Sequence, residues 1–273
     1  MIRKEKIMKR TKRTLSLLVA LAMVLLSATT AFAGTYSIFG DDNRVRVTSS
    51  SGSNYSICKI KITFDNGDVE YGTGFLISST EVVTAGHCLH YKKKDGTPKT
   101  AKKLELFFGC SGTNTNYTYK AHASVDCTSK NIYYPPEWAN KYYGNYDYGV
   151  IKLDEAVVGP ATYFELSTIS SPEGEEINIT GYEGHLENTV FSNWELVRGT
   201  GKITSATNQC LFTQVDAMPG QSGAPVVHKG KVVGIYTYSA ASGRWVTEPS
   251  TEANQITRIN SIVSDRLINA FQE

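Results

Sequence analysis

Short runs rich in Val, Ile, Tyr and Thr alternate with clusters of Gly, Asn, Asp and Pro along most of the 273 residues. That rhythm belongs to half-buried β-strands separated by turns, not to helices. The runs predict strands at 57–64, 70–77, 81–84, 103–108, 117–125, 148–153, 177–182, 195–203, 210–215, 224–228 and 231–238. Asp65-Asn66-Gly67-Asp68 closes the first two into a hairpin, because Asn-Gly readily takes the positive φ values of a tight turn. Helical spacing is confined to the end. There Ile256, Ile259, Ile262, Val263, Leu267 and Phe271 recur at steps of three and four and predict an amphipathic helix over 256–273. The stretch 156–173, with Pro160 and Pro172, is the best linker between two halves. The chain is therefore all-β with a C-terminal α-helix, built as a pair of barrels or a sandwich.

The first residues stand apart from this pattern. A basic stretch, an apolar run over 15–26 and then Ala31-Phe32-Ala33 form the three parts of a secretory leader, cleaved after Ala33. A dozen apolar residues fall short of the roughly 20 that span a bilayer, so the secreted form has no membrane partner. The leader also carries seven of the 28 Lys and Arg and one of the 26 acids, so its loss turns a net charge of +2 into −4. Nucleic acid is thereby excluded as a partner, since phosphate binding needs clustered positive charge.

A composition of 41% hydrophobic and 20% charged residues excludes disorder, and the 240 residues that follow the leader can bury a core without a disulfide scaffold. Five cysteines, Cys58, Cys88, Cys110, Cys127 and Cys210, enter an oxidising compartment, and their odd number leaves at least one unpaired. Cys110 and Cys127, flanking a polar stretch between two strands, are the favoured disulfide. There is no C-x-x-C and no H-E-x-x-H, and the five histidines are scattered, so no metal and no cofactor is expected. His90, His122, His185 and His228 read as surface residues. Tyr133, Tyr134, Trp138, Tyr142, Tyr143 and Tyr146 have two readings, rings covering a barrel end, which is favoured, and the lining of a substrate cleft.

Three segments carry candidate chemistry. In Val82-Val83-Thr84-Ala85-Gly86-His87-Cys88 a strand ends in small residues and presents a histidine just beyond the sheet. In Asp147-Tyr148-Gly149-Val150-Ile151 an aspartate leads into an apolar strand. In Asp216-Ala217-Met218-Pro219-Gly220-Gln221-Ser222-Gly223-Ala224-Pro225 a serine lies in a tight Gly/Pro turn. Each is commonplace alone, but together they supply what acyl transfer to serine requires. A hydroxyl is a weak nucleophile near neutral pH and needs an imidazole to take its proton, and the imidazole needs a carboxylate to fix its tautomer. Backbone N–H groups of Gly220 and Ser222 complete the set as donors to the oxyanion. The order His87, Asp147, Ser222 and the absence of G-x-S-x-G and of alternating helices exclude an α/β-hydrolase and a subtilisin.

T-A-G-H-C, Y-D-Y-G-V-I-K-L and P-G-Q-S-G-A-P, in that order, resemble the chymotrypsin-fold serine peptidases, and most of all the secreted bacterial glutamyl endopeptidases. The similarity begins at Ser37-Ile38-Phe39-Gly40-Asp41-Asp42-Asn43-Arg44, which looks like that group's mature N-terminus, and continues to Thr257-Arg258-Ile259. Only Gly34-Thr35-Tyr36 separate it from the cleaved leader. The resemblance implies two six-stranded antiparallel β-barrels with the site between them. The layout it suggests is a leader at 1–33, a first barrel within 34–160 carrying His87 and Asp147, a second at 161–255 carrying Ser222, and the helix at 256–273. It implies a monomeric serine endopeptidase acting on protein or peptide substrates.

Departures from the family pattern bear on what is cut. The aspartate that receives the new N-terminal amine in the trypsin branch is here Gln221, so that ion pair cannot form. Asp216 stands where trypsin-like enzymes bind Lys or Arg, although glutamyl endopeptidases can carry an aspartate there too. The latter place a histidine in Gly-x-His for the substrate carboxylate, whereas this chain has Gly234-Ile235-Tyr236-Thr237. Asp216, Tyr236 and Thr237 are thus the expected pocket residues, with Tyr236 alternatively a packing residue. Preference for Glu or Asp is the leading expectation. Lys/Arg preference set by Asp216 is its alternative, small polar residues stay open, and a non-catalytic binding protein on a protease fold is the rival of another class.

Overall fold

The computed structural model describes residues 37–92, 96–141, 144–159, 161–184, 190–238 and 253–272. The expected leader, Gly34-Thr35-Tyr36, Tyr142, Tyr143, Pro160 and His185 lie outside them. Strand β1 (Val45–Val47) and helix α1 (Gly52–Tyr55) precede the first sheet. That sheet contains β2 (Ile57–Phe64), β3 (Val69–Leu76), β4 (Glu81–Thr84), β5 (His90–Lys92) and β6 (Pro98–Phe108). A local hairpin of β7 (Ser111–Gly112) and β8 (Tyr117–Thr118) follows, then β9 (Ala121–Asp126), β10 (Ile132–Tyr133), α2 (Pro136–Lys141) and β11 (Gly149–Lys152). The second sheet holds β12 (Glu176–Tyr182), β13 (Leu196–Ala206), β14 (Cys210–Thr213), β15 (Pro225–His228), β16 (Lys231–Tyr238) and β17 (Asn254–Arg258), and α3 (Ser261–Ile268) ends the chain. The strand expected at 117–125 is two, because Tyr117–Thr118 pairs within the hairpin while Ala121–Asp126 pairs with β6.

In the second sheet the order β13-β12-β15-β16-β17-β14 returns to β13, closing a six-stranded antiparallel barrel, with β1 added outside on β13. Closure removes the exposed edges that a sheet otherwise leaves. The first sheet runs β10-β11-β4-β3-β2-β6-β5 and stays open, a half-barrel where a closed ring was expected. The reason lies in β6. Its start pairs with β5 and its later part with β9, so the far side of the sheet is shared between two edges.

Alternation places Ile60, Ile62, Leu104, Leu106, Val82 and Ile151 inside the first sheet, and Ile179, Leu211, Val226, Val233 and Ile256 inside the second. A third cluster forms the seam between them, with Phe75, Val83 and Val150 from the first sheet and Tyr182, Leu196 and Ile235 from the second. Val263 and Leu267 of α3 pack into that seam. The Asn260 side chain caps this helix by accepting the Val263 N–H at 2.9 Å.

The terminal helix is shorter than 256–273, since Ile256 belongs to β17. There it is fully buried between Leu211 and Tyr236, and the sheet ladder overrides a spacing that also suits a helix. The stretch 156–173 does carry the chain from β11 to β12 without strand or helix among its described residues, anchored by Phe164 edge-on against Phe75 at 5.5 Å.

All five cysteines are free thiols. The expected Cys110–Cys127 pairing is excluded by register. Cys110 lies just beyond the Phe108 end of β6, whereas Cys127 follows Asp126, which pairs with Lys103 near the other end. Six strand residues, roughly 20 Å, separate the two, and a disulfide needs Cα atoms within about 7 Å.

Candidate active site

Strand register brings the histidine and the aspartate together. Antiparallel pairing of Gly149 with Thr84 and Val150 with Val83 places Asp147 opposite Gly86 as both chains leave the sheet. Gly86–Cys88 then forms a single 3₁₀ turn that swings His87 back over the aspartate. Asp147 is fully buried, and its two oxygens have different tasks. Oδ1 accepts the His87 backbone N–H at 2.7 Å, and Oδ2 pairs with His87 Nδ1 at 2.7 Å. An ionised carboxylate only accepts, so Nδ1 carries a proton, and in the neutral ring Nε2 keeps its lone pair for another group. From the second sheet, the Thr257 hydroxyl lies 3.2 Å from both the Asp147 and the Gly144 carbonyl.

Burial disfavours the His87 imidazolium, but the Asp147 charge, the Cys88 thiol and the Nδ1 hydrogen bond outweigh it, so the ring's pKa lies well above its ordinary value. The side chain keeps 18% exposure, which leaves one edge open to a substrate.

The serine turn is fastened to the first sheet just before the histidine. Ser222 is half-buried; its carbonyl accepts the Thr73 N–H of β3 at 2.8 Å and lies 3.9 Å from the Cys88 thiol. Gly223 donates to the Tyr236 carbonyl at 2.8 Å and has φ +88°; a Cβ there would stand 2.1 Å from the Thr73 carbonyl and 2.9 Å from the Ala85 N. Only glycine lets the turn come so near the strand that leads to His87. The three sequence segments therefore converge at the mouth of the seam.

Gly220, with φ +95°, turns its peptide away from the body of the loop. Among the described residues neither the Gly220 nor the Ser222 N–H has an acceptor, so both remain available to a ligand oxygen. Gln221 replaces the missing ion pair with neutral contacts. Fully buried, it accepts the Met218 N–H at 2.8 Å and donates to the Val197 carbonyl at 3.4 Å.

The expected pocket residues Asp216, Tyr236 and Thr237 are all buried. Asp216 is fully buried and both its oxygens are occupied, Oδ1 by the Phe39 N–H at 2.7 Å and Oδ2 by the Asn43 N–H at 3.1 Å. A buried carboxylate needs donors, and the N-terminal segment provides two. Tyr236 is 2% exposed and packs in the core of the second barrel, and Thr237 donates its hydroxyl to the Gln255 carbonyl at 3.1 Å. Burial pushes the Tyr236 phenol up, against the pull of the nearby Arg44.

Several residues around the site have no local motif. Arg44 is buried between Asp42 and Glu183, and Lys59 donates to the carbonyls of Glu183 and Asn193 at 2.8 Å each. Burial pushes the Lys59 ammonium down to about 7, against Cys110 and Glu183. Tyr238 lies beside His87. A charged residue inside an apolar strand, as Lys59 is in Ile-Cys-Lys-Ile, was the one signal open to sequence reading. Trp138, Tyr134 and Tyr146 pack together under Tyr238, as rings covering the sheet end were expected to. Among the described residues no three His, Cys, Asp or Glu side chains gather to hold a metal ion.

The chain is similar to known proteins. Residues 72–235 match the trypsin-like peptidase domain. The chain is 29% identical over 243 residues to a glutamyl endopeptidase of Bacillus licheniformis, covering 85% of this chain and 68% of the relative. It is 31% identical over 194 residues to a protein of Bacillus subtilis named extracellular metalloprotease, covering 70% of this chain and spanning 57% of that relative. A solved Glu endopeptidase in complex with MPD superposes with a TM-score of 0.66 at 20% identity, over 86% of this chain and all of that one. The chain belongs to the trypsin-like peptidase family and is a serine endopeptidase.

Proposed function

We propose that this protein cleaves peptide bonds through His87, Asp147 and Ser222, outside the cell, with a preference for acidic residues on the acyl side of the cut. The observation that carries the reading is the His87–Asp147 pair, bonded at 2.7 Å through both backbone and ring, with the Ser222 backbone tied to the adjoining strand. His87 Nε2 takes the Ser222 proton as Oγ attacks the substrate carbonyl, and the carbonyl π pair moves onto oxygen. Gly220 and Ser222 N–H groups bind that oxyanion, a contribution of about 3 kcal/mol per donor in sites of this kind. The imidazolium, stabilised by Asp147, returns its proton to the leaving amine, and water releases the acyl group by the same steps.

Secretion is supported by the three-part leader and by the extracellular name of the B. subtilis relative. The acidic preference is supported by the name of the B. licheniformis relative and by Asp216, whose charge is already satisfied by two backbone N–H groups. A Lys/Arg pocket would need that carboxylate free.

The test is digestion of an unbiased peptide mixture by the purified protein, with cleavage sites mapped by mass spectrometry beside Ser222→Ala. Cuts after Glu or Asp that vanish in the variant are the expected result. Cuts after Lys or Arg would return Asp216 to the pocket. Turnover that survives Ser222→Ala would overturn the catalytic assignment, and no cuts beyond the control would leave a binding protein on a protease fold.

A further inference from the structure

A peptide whose N–H must point into an open site has to be held from behind. Behind Gly220 stands the Glu183–Gly184 peptide. A Cβ on Gly220 would lie 2.0 Å from Gly184 N and 2.5 Å from the Glu183 carbonyl carbon, and Gly184 N–H donates to the Pro219 carbonyl at 2.7 Å. Wherever residues 183–184 go, the Pro219–Gly220 peptide must follow.

Glu183 is held at both ends. Its carbonyl accepts from Lys59 at 2.8 Å, and its carboxylate pairs with the Arg44 guanidinium. Arg44 is gripped in turn by Asp42, with Nε and Nη2 each 2.8 Å from a carboxylate oxygen, and its side chain is 1% exposed. Arg44 and Glu183 are both buried, so removing either charge leaves the other buried without its partner.

The segment that carries Arg44 is fixed at the opposite flank of the same turn. Ser37 and Ala217 exchange backbone hydrogen bonds at 3.3 and 3.1 Å, and Asp216 accepts from Phe39 and Asn43. Residues 37–44 thus touch the serine turn at its start, through Asp216 and Ala217, and at Gly220 through Glu183. We propose that Arg44 is a positioning residue of the oxyanion site: the Asp42–Arg44–Glu183 chain clamps the 183–184 peptide against Gly220 and keeps its N–H aimed at the reacting carbonyl. This rests on the assignment of Gly220 and Ser222 as oxyanion donors, and it gives the N-terminal segment a part in catalysis that needs no ion pair at position 221.

The experiment compares the full protein with Arg44→Met, Arg44→Lys and Glu183→Gln, with Ser222→Ala as reference. A peptide aldehyde serves as probe, because Ser222 Oγ adds to its carbonyl carbon, the π pair moves to oxygen and the serine proton passes to His87, forming the same oxyanion. Arg44→Met is expected to lower kcat by on the order of 100-fold, the cost of one oxyanion donor. KM should stay within about twofold, and aldehyde affinity should fall in step with kcat. Arg44→Lys, which keeps the charge, should recover part of the loss, and Glu183→Gln should reproduce its direction. Unchanged kcat and aldehyde affinity in Arg44→Met, or a rise in KM alone, would sink the proposal while leaving the triad intact if Ser222→Ala is inactive. If Arg44→Met fails to fold by thermal melting, Glu183→Gln decides by the same criteria. Turnover in Ser222→Ala would instead defeat the underlying assignment.

Discussion

The phenol ring of Tyr238, itself buried, lies 5.4 Å from the imidazole of His87, tilted by 33°. Its hydroxyl is buried and faces Asp147, and among the described residues it has no hydrogen-bond partner; burial and then the Asp147 charge hold its pKa well above the ordinary value. Packing, not the hydroxyl, is thus its main contribution. Tyr238→Phe should keep kcat within about threefold and change stability by less than about 1 kcal/mol, since no strong hydrogen bond is lost. Tyr238→Ala should cost about 3 kcal/mol in thermal or denaturant unfolding and loosen the His87–Asp147 pair. A large kcat loss in Tyr238→Phe would show that the hydroxyl bonds Asp147 during turnover.

Activity should vanish on the acid side as His87 takes a proton. Burial works against the imidazolium, yet Asp147 and Cys88 reverse the balance, so the acid limb of kcat/KM lies above the free imidazole value of about 6.5. Asp147→Asn should move that limb down and reduce kcat by about 10⁴-fold. A profile flat to pH 4 would remove His87 from the mechanism. For folding the sign is opposite: stability from the raised pKa is complete below the unfolded value and is lost as pH rises through the folded one.

Lys59 gives a second pH signature, read in stability. Its pKa falls from 10.5 to about 7, so between those values the folded protein binds fewer protons than the unfolded chain. Stability from this group must rise with pH across that window. Melting temperatures of wild type measured from pH 6 to 10 should carry this upward slope, and those of Lys59→Met should lack it.

Gly223→Ala should be among the most damaging single-methyl changes in the molecule. It combines φ +88° with contacts of 2.1 Å to the Thr73 carbonyl and 2.3 Å to Thr84 Oγ1. Left-handed strain and overpacking together amount to about 2–5 kcal/mol. Chemical denaturation measures the loss, and a variant as stable as wild type would contradict the close docking of the serine turn on β3.

Cys88 has an unused partner position. A Cβ on Gly72 would lie 2.8 Å from Cys88 Sγ, next to the distance found across a disulfide. Gly72→Cys should therefore oxidise with Cys88 in air, closing a loop of some 15 residues and adding up to about 3 kcal/mol. Melting with and without reductant and a thiol count would read the bond: of the variant's six thiols four should remain titratable after oxidation, and six would refute the placement.

Much of this protein was legible in its sequence. Strands at 57–64, 81–84 and 231–238 stand where alternation put them, and the convergence of the His87, Asp147 and Ser222 segments could be read from three local motifs in order. Both kinds of signal are short-ranged: alternation records which face of a strand is wet, and a Gly/Pro turn or a run of small residues records local backbone shape.

What the tertiary structure alone decided depends on partners far apart in the chain. Asp216 is quenched by Phe39 and Asn43, 177 and 173 residues away, and the Arg44–Glu183 pair spans 139. No local pattern says which donors will reach a buried carboxylate. Nor does spacing say that Ile256 joins a ladder with Leu211 and Tyr236 rather than a helix, or that Cys110 and Cys127 end up at opposite ends of one strand pair. Local chemistry made the chain recognisable as a serine peptidase; the long-range satisfaction of buried charge decided how the turn around Ser222 is held and which donors Asp216 meets.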